Sequence, residues 1–181
     1  MSITYPAFIT KDFKQNFDAF KAFLLSKKGY KRLEDSYHPE CYRLATYRKS
    51  ISPEMAPLNR AGSFEIIFDC DPRRFLKSGD RAATFTANGS LRNPTLFDAK
   101  PLIRAYGTGY FAISGIRVNI TTASTYTDID CELQEAYKGS TNCNGNITLV
   151  NGEFPVLNSG ANAITLSGLS RIEITPRWWS I

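Results

Sequence analysis

Hydrophobic positions along the chain fall into two regimes. Between residues 11 and 28, Phe13, Phe17, Phe20 and Leu24 recur at the spacing of one helix face, and Phe23 widens the stripe. The pattern predicts a helix over 11–28. Thr10 is the expected N-cap, with Asp12 in the first turn, Lys27 and Lys28 at the negative end, and Gly29 in a left-handed cap. A stripe of phenylalanines needs a broad apolar partner, and a β-sheet provides one. Elsewhere the period is two. Residues 3–9 read as a strand that Pro6 places near an edge, and residues 41–47 as another. Phe64, Ile66, Phe68 and Cys70 alternate with Glu65, Ile67 and Asp69, which gives a third strand with one apolar face, ended by Pro72. Residues 73–80 read as a connector with its turn at Gly79-Asp80.

Beyond residue 80 no helical pattern occurs. Strands are predicted over 82–87, 101–106, 110–113, 117–122, 128–136, 147–150, 163–167 and 171–178. Asn151-Gly152 is a strong two-residue hairpin signal, with Asn144-Gly145, Ser159-Gly160 and Ser167-Gly168 as weaker turn marks. The fold class that follows is mainly β with one long helix. It comprises a sheet domain packed by the helix over 1–79 and an antiparallel β-sandwich over 80–181.

Composition narrows this only a little. A hydrophobic fraction of 43% and an aromatic fraction of 13% belong to a folded globular chain. No apolar run approaches the roughly 18 residues of a membrane span. The start, Met1-Ser2-Ile3-Thr4-Tyr5-Pro6, carries no secretory pattern, so synthesis in a cytosol is expected. The net charge of +5 sits in the first part: 14 Lys plus Arg against 9 Asp plus Glu up to Ser78, then 8 against 8. A basic patch there could meet nucleic acid or an acidic protein partner, although alternation as in Lys31-Arg32-Leu33-Glu34-Asp35 favours an ordinary solvated surface. Cys41, Cys70, Cys131 and Cys143 form no CxxC pair, so free thiols are expected, two or three of them buried, and no zinc.

Candidate chemistry is sparse. On a single strand, Asp128, Asp130 and Glu132 would share one face and Ile129, Cys131 and Leu133 the other. Three carboxylates could hold calcium or serve a hydrolase as an acid–base pair; a wet strand face opposite Arg or Lys is the simpler account. His38, the one histidine, stands too near Cys41 in sequence to form a nucleophile pair with it. The phosphate, dinucleotide and serine-elbow motifs are absent, and Gly107-Thr108-Gly109 reads as a turn. Tyr106, Tyr110, Trp178 and Trp179 could stack on sugars, or fill the core and subunit contacts. No catalytic, cofactor or metal residue is assigned.

Four stretches in order carry a family likeness: residues 24–39 (Leu24-Leu25-Ser26-Lys27-Lys28-Gly29-Tyr30 through Tyr37-His38-Pro39), residues 63–72, Asn93-Pro94-Thr95 with residues 99–107, and residues 154–179 ending Pro176-Arg177-Trp178-Trp179. Together they resemble the distal tail protein family of long-tailed bacteriophages. The resemblance implies an N-terminal domain that assembles side by side into a homohexameric ring, and a galectin-like sandwich that projects from it. It further implies a structural hub in the virion, joining the tail tube to tail-tip and receptor-binding proteins around a lumen for genomic DNA. No active site, cofactor, membrane contact or specific nucleic-acid binding goes with the family. A carbohydrate-binding module is the alternative. Family members carry further strands ahead of the segment matched by residues 3–9, so an N-terminally truncated domain is expected, its sheet incomplete and open at one edge.

Overall fold

The computed structural model describes residues 1–47, 51, 53–55, 61–121 and 125–181. They divide into two compact units, Met1–Arg74 with Ile181, and Phe75–Ser180. The chain is mainly β, as its periodicity predicts, with one α-helix among the described residues.

In the first unit the elements are β1 (Ser2–Ile9), α1 (Phe13–Ser26), β2 (Lys31–Leu33), β3 (Cys41–Tyr47), β4 (Glu54–Met55) and β5 (Gly62–Cys70). β1 pairs with β5 along its whole length and β3 with the far end of β5, all antiparallel. Ala45 faces Cys70 on one side and Lys31 on the other, so β2 lies across β3 from β5 and the order is β1-β5-β3-β2. Helix α1 covers one face of this sheet. Phe13, Phe17 and Leu24 are buried with Phe64 and Ile66, and Ala7 and Ile9 of β1 close over the cluster. Phe64 is the hub of ring contacts, with Phe17 edge-on at 5.0 Å, Phe20 at 5.6 Å and Phe13 at 6.3 Å.

The helix departs from expectation at both ends. Its N-cap is Asp12, in the left-handed region at φ 47°, and not Thr10. The Asp12 side chain makes no cap bond; its carbonyl accepts the Asn16 N–H at 3.1 Å, while the Asn16 amide donates to the Lys11 carbonyl. Phe13 is fully buried, so packing of that ring, more than cap preference, fixes where the first turn starts. Lys27 and Lys28 lie just past the last helical residue, and Gly29 does adopt φ +70°. Phe23 does not widen the buried stripe. At 57% exposure it stays largely open to solvent.

The stretch read as a connector is ordered structure: β6 (Arg74–Leu76) runs into a 3-10 turn at Lys77–Asp80. Gly79 is required there because a Cβ would stand 2.3 Å from the Trp178 backbone nitrogen. The second unit continues with β7 (Ala83–Phe85), β8 (Gly89–Asn93), β9 (Leu102–Tyr106), β10 (Gly109–Ile113), β11 (Ile116–Ile120), β12 (Tyr126–Asp130) and β13 (Glu135–Lys138). It ends with β14 (Thr141–Asn142), β15 (Ile147–Leu149), β16 (Gly160–Ser167), β17 (Arg171–Thr175) and β18 (Trp179–Ser180). A five-stranded sheet, β15-β11-β10-β16-β8, faces a six-stranded one, β14-β13-β12-β9-β17-β7. Their inward residues form one core, with Phe111, Ile113, Val118 and Ile164 from one sheet meeting Ile103, Ile129, Ile172 and Ile174 from the other. The expected sandwich is therefore present. Thr122, the last residue of one predicted strand, lies outside the described residues.

Two buried amides hold the sandwich loops. Asn162, with no exposed surface, accepts the Asn158 N–H and the Ser114 hydroxyl and donates to the carbonyls of Asn158 and Gly160. Asn93 donates to the carbonyls of Phe97 and Leu157 and accepts the Thr95 N–H. Asn151-Gly152 makes a turn, with the Gly152 N–H donating to the Leu149 carbonyl, but not a hairpin. The strand after it, β16, pairs with β10 and β8, leaving β15 on β11.

The ring contacts at Phe64 lead to a sharp contrast between two phenylalanines. Phe64→Ala should cost about 3–5 kcal/mol, and Phe23→Ala no more than about 0.5 kcal/mol. Urea unfolding followed by far-ultraviolet circular dichroism checks this; equal midpoints for the two variants would contradict the packing described.

Candidate functional site

The acidic segment was the strongest candidate for chemistry, and the structure takes it apart. Residues 128–136 are not one strand: β12 and β13 form a hairpin around a turn at 131–134, with Gln134 at φ 58°. Asp130 makes the turn. Its Oδ1 accepts the N–H groups of Glu132 at 3.0 Å and Leu133 at 3.1 Å, an Asx arrangement that competes with strand continuation. Consequently Asp128 and Asp130 keep one face of β12, and Glu132 leaves it. Glu132 sits in the turn, 3.6 Å from the Lys100 ammonium, and Leu133 is exposed.

The two aspartates are committed to arginines. Asp128 lies opposite Arg104 of β9, whose Nε and Nη2 donate to Oδ1 and Oδ2 at 2.6 and 2.9 Å. Arg177, in the left-handed region at φ 59°, donates both terminal nitrogens to Asp130 at 2.8 Å. Exposures of 5% and 3% make these buried carboxylates rather than a wet face, although the arginine partners expected of a structural strand are present. Burial resists ionisation of Asp130, yet the Arg177 hydrogen bonds, the Leu133 and Glu132 N–H groups and the Arg177 charge together outweigh it. Its carboxyl is held below the usual carboxylate range. Among the described residues no group of three metal-ligating side chains comes together.

The cysteines are free, and all four are buried, one or two more than expected. Burial, then the neighbouring Asp130 charge, pushes the Cys131 thiol up to about 12, and burial with the Glu40 carboxylate raises that of Cys41. A thiol in such surroundings stays protonated and poorly nucleophilic at neutral pH. His38 stands with its Nδ1 3.7 Å from Glu40, and Cys41 directs its sulfur to Glu40 as well, so the two do not form a pair.

Aromatic side chains considered for sugar stacking already have partners. Trp178 belongs to the core, and Trp179 stacks on Phe97 at 4.5 Å while its indole N–H donates to the Asp98 carbonyl. Arg171 lies 3.9 Å over Tyr106 and Arg117 lies 3.6 Å over Tyr110. Each tyrosine therefore offers at most one open ring face. Arg104 over Tyr126, at 4.3 Å, is a pairing that sequence reasoning missed. Only the strand register, Tyr106 opposite both Tyr126 and Arg171, brings these residues together.

What the first unit does present is an edge. Met1 and Cys70 exchange both backbone bonds, at 3.1 and 2.7 Å. Counting along the ladder, Ile3, Tyr5, Ala7 and Ile9 bond to β5, whereas Ser2, Thr4, Pro6 and Phe8 turn their backbone groups outward. Pro6 thus meets the open side, where its missing N–H interrupts no existing bond. Among the described residues no strand pairs with that side of β1, so the sheet has the open edge that was expected. Phe8 stands beside it at 66% exposure.

No protein-family model matches the chain, and no curated protein sequence does. Solved structures do. That of SPP1 Dit (gp 19.1), described as a paradigm of the hub adsorption apparatus in Gram-positive infecting phages, matches 99% of this chain and 79% of its own with a TM-score of 0.72. The chain shares the fold of SPP1 Dit. Their sequences are 14% identical. Two chains from the phage P2 baseplate in its activated conformation, with Ca and with Sr, match 96% of this chain and 78% of theirs. Their TM-scores are 0.53 and 0.56, with 13% identity in both cases. The likeness therefore extends over both units of the Dit-like fold.

Asp130 gives the second unit a signature on acidification. A carboxyl whose folded pKa is depressed stabilises fully above its unfolded value, about 4, and that contribution disappears as pH falls through the folded value. Asp130→Asn should cost about 2 kcal/mol at neutral pH, because Arg177 loses its charged partner. The difference from the parent chain should shrink progressively below about pH 4. Fluorescence of Trp178 and Trp179 during urea unfolding at several pH values measures it, and a difference independent of pH would exclude the ion pair as its source.

Proposed function

We propose that this chain is a structural hub of a phage tail tip, joining the tail tube to tail-tip and receptor-binding proteins. Likeness over 99% of the chain to SPP1 Dit, itself described as a hub, is the observation that carries this reading. On this reading residues 1–79 form a ring-building belt domain and residues 80–181 a galectin-like domain. Six copies close into a ring, and the lumen leaves room for the genome. The protein works in the virion after synthesis in the host bacterial cytoplasm.

The role is non-enzymatic, with no catalytic, cofactor-binding or metal-binding residue. Supporting this are the pairing of Asp128 with Arg104 and of Asp130 with Arg177, together with the raised thiols of Cys41 and Cys131. A sugar-binding role is not favoured, because arginines already cover one face of Tyr106 and of Tyr110. The open edge of β1 supports self-association: outward carbonyls and the exposed Phe8 offer a neighbour both hydrogen bonds and apolar area.

Light scattering on the purified chain tests the reading directly. The expected mass is that of a closed oligomer, six chains for the ring, and Phe8→Lys should lower it without changing the circular dichroism spectrum. A folded chain that stays monomeric across the accessible concentration range would sink the hub assignment.

A further inference from the structure

Beside the C-terminal half of α1 the first unit has a recess that the hub reading does not use. A groove of about 860 Å³ opens between the helix, β2 and β3. Its floor is apolar and aromatic, built from Phe20, Leu24, Leu33, Tyr47 and Phe68, with Phe23 standing half out of it. The rim is cationic: Lys27, Lys28, Lys31 and Arg32 surround the opening. No carboxylate is among the described residues that line it. Lys27 is held over the Phe23 ring at 4.7 Å, and Arg32 lies 3.8 Å over Tyr42 while pairing with Glu34 just outside. The charges thus stand on aromatic surface around an apolar floor.

We infer that this groove docks an acidic segment of a partner protein, one that seats one or two large apolar side chains between flanking carboxylates. Charge complementarity selects the partner's sign, and the recess selects its shape. Duplex nucleic acid would meet the lysines and leave the apolar floor wet, since its phosphates lie on the outside. An anionic membrane surface would meet Phe23 and the lysines but is too flat to fill a groove. A peptide segment supplies both kinds of group the groove calls for: carboxylates for Lys27, Lys28 and Lys31, and an aliphatic or aromatic side chain for the floor. The inference goes beyond the hub reading and stands without it, because docking here does not depend on how many copies assemble.

The probe is a fluorescein-labelled peptide that carries Phe and Leu one helical turn apart among glutamates, titrated with the full chain and followed by fluorescence anisotropy. Saturable, salt-sensitive binding is expected. Lys28→Glu combined with Lys31→Glu should weaken it by about tenfold or more, whereas Lys28→Arg with Lys31→Arg should retain it. Phe23→Ser removes mostly exposed surface, and it too should weaken binding while the chain stays folded by circular dichroism. Equal binding of a peptide with lysines in place of the glutamates would overturn the inference, as would unchanged binding by the charge-reversed chain or the absence of saturation. Tighter association with anionic phospholipid vesicles or duplex DNA would overturn it in favour of those occupants. The oligomeric mass, measured on the same samples, separates failure of this groove from failure of the hub assignment.

Discussion

Three phenylalanine rings of α1 converge on Phe64 near the start of β5, and the character of the first unit follows from that contact. A helix with its side chains is about 10–12 Å across, and neighbouring strands lie about 4.8 Å apart. One helix therefore covers little more than two strands. Centred on β5, it shields Ala7 and Ile9 of β1 together with Phe64 and Ile66. The face over β2 and β3 is left partly bare, and it becomes the groove floored by Tyr47, Leu33 and Phe68. An open edge and a bare half-face are what remain when a sheet has one helix to cover it. A free-standing domain would spend further elements on closing both. Among the described residues this unit keeps both as surfaces.

The second unit is closed where the first is open. Its sandwich core is sealed by isoleucines from both sheets, and among the described residues none of its buried side-chain polar atoms lacks a hydrogen bond. Asp130 shows how such a group comes to look like a site in sequence and to be a joint in structure. The same carboxylate bends the chain between β12 and β13 and anchors Arg177. Arg177 stands one residue before Trp178, whose backbone approaches Gly79 so closely that a side chain there is excluded. Ionised, buried and held by four donors, Asp130 is committed to the turn and to Arg177 and is not presented to a substrate.

Much of this was legible in the residues. Spacing of Phe13, Phe17 and Leu24 located the helix face, and alternation from Phe64 to Cys70 located the strand beneath it, because burial leaves a period in the sequence. Pro6 marked its strand as an edge for a reason that the register makes explicit. The misses share a cause. Phe23, the cap at Asp12 and the turn at 131–134 depend on which tertiary partner wins a residue that local pattern assigns elsewhere. Strand β8 was overlooked because Leu91 is its one large apolar residue, and Asn93 holds a loop instead of filling the core. Asn151-Gly152 gave the right turn and the wrong topology, since local turn chemistry does not determine where the next strand pairs. The groove was invisible for a deeper reason: its rim reads in sequence as an ordinary run of mixed charge.

Sequence identity of 14% beside a TM-score of 0.72 indicates which features the fold holds constant. A core needs apolar residues at the right period and of suitable volume, and many sequences meet that need. Surface contacts are free to change whenever the partner changes with them. An open edge is the hazardous part of such freedom, because a strand that pairs with anything will also pair with its own copies without limit. Pro6 bears on that hazard. It removes one donor from the middle of the open edge and none from the ladder to β5, so a continuous strand-to-strand ladder is interrupted at its centre while the carbonyls on either side stay available. Such an edge discourages open-ended sheet growth and still accepts a neighbour whose fit is made by side chains such as Phe8. A neighbour at this edge is then selected by shape at the contact more than by backbone pairing.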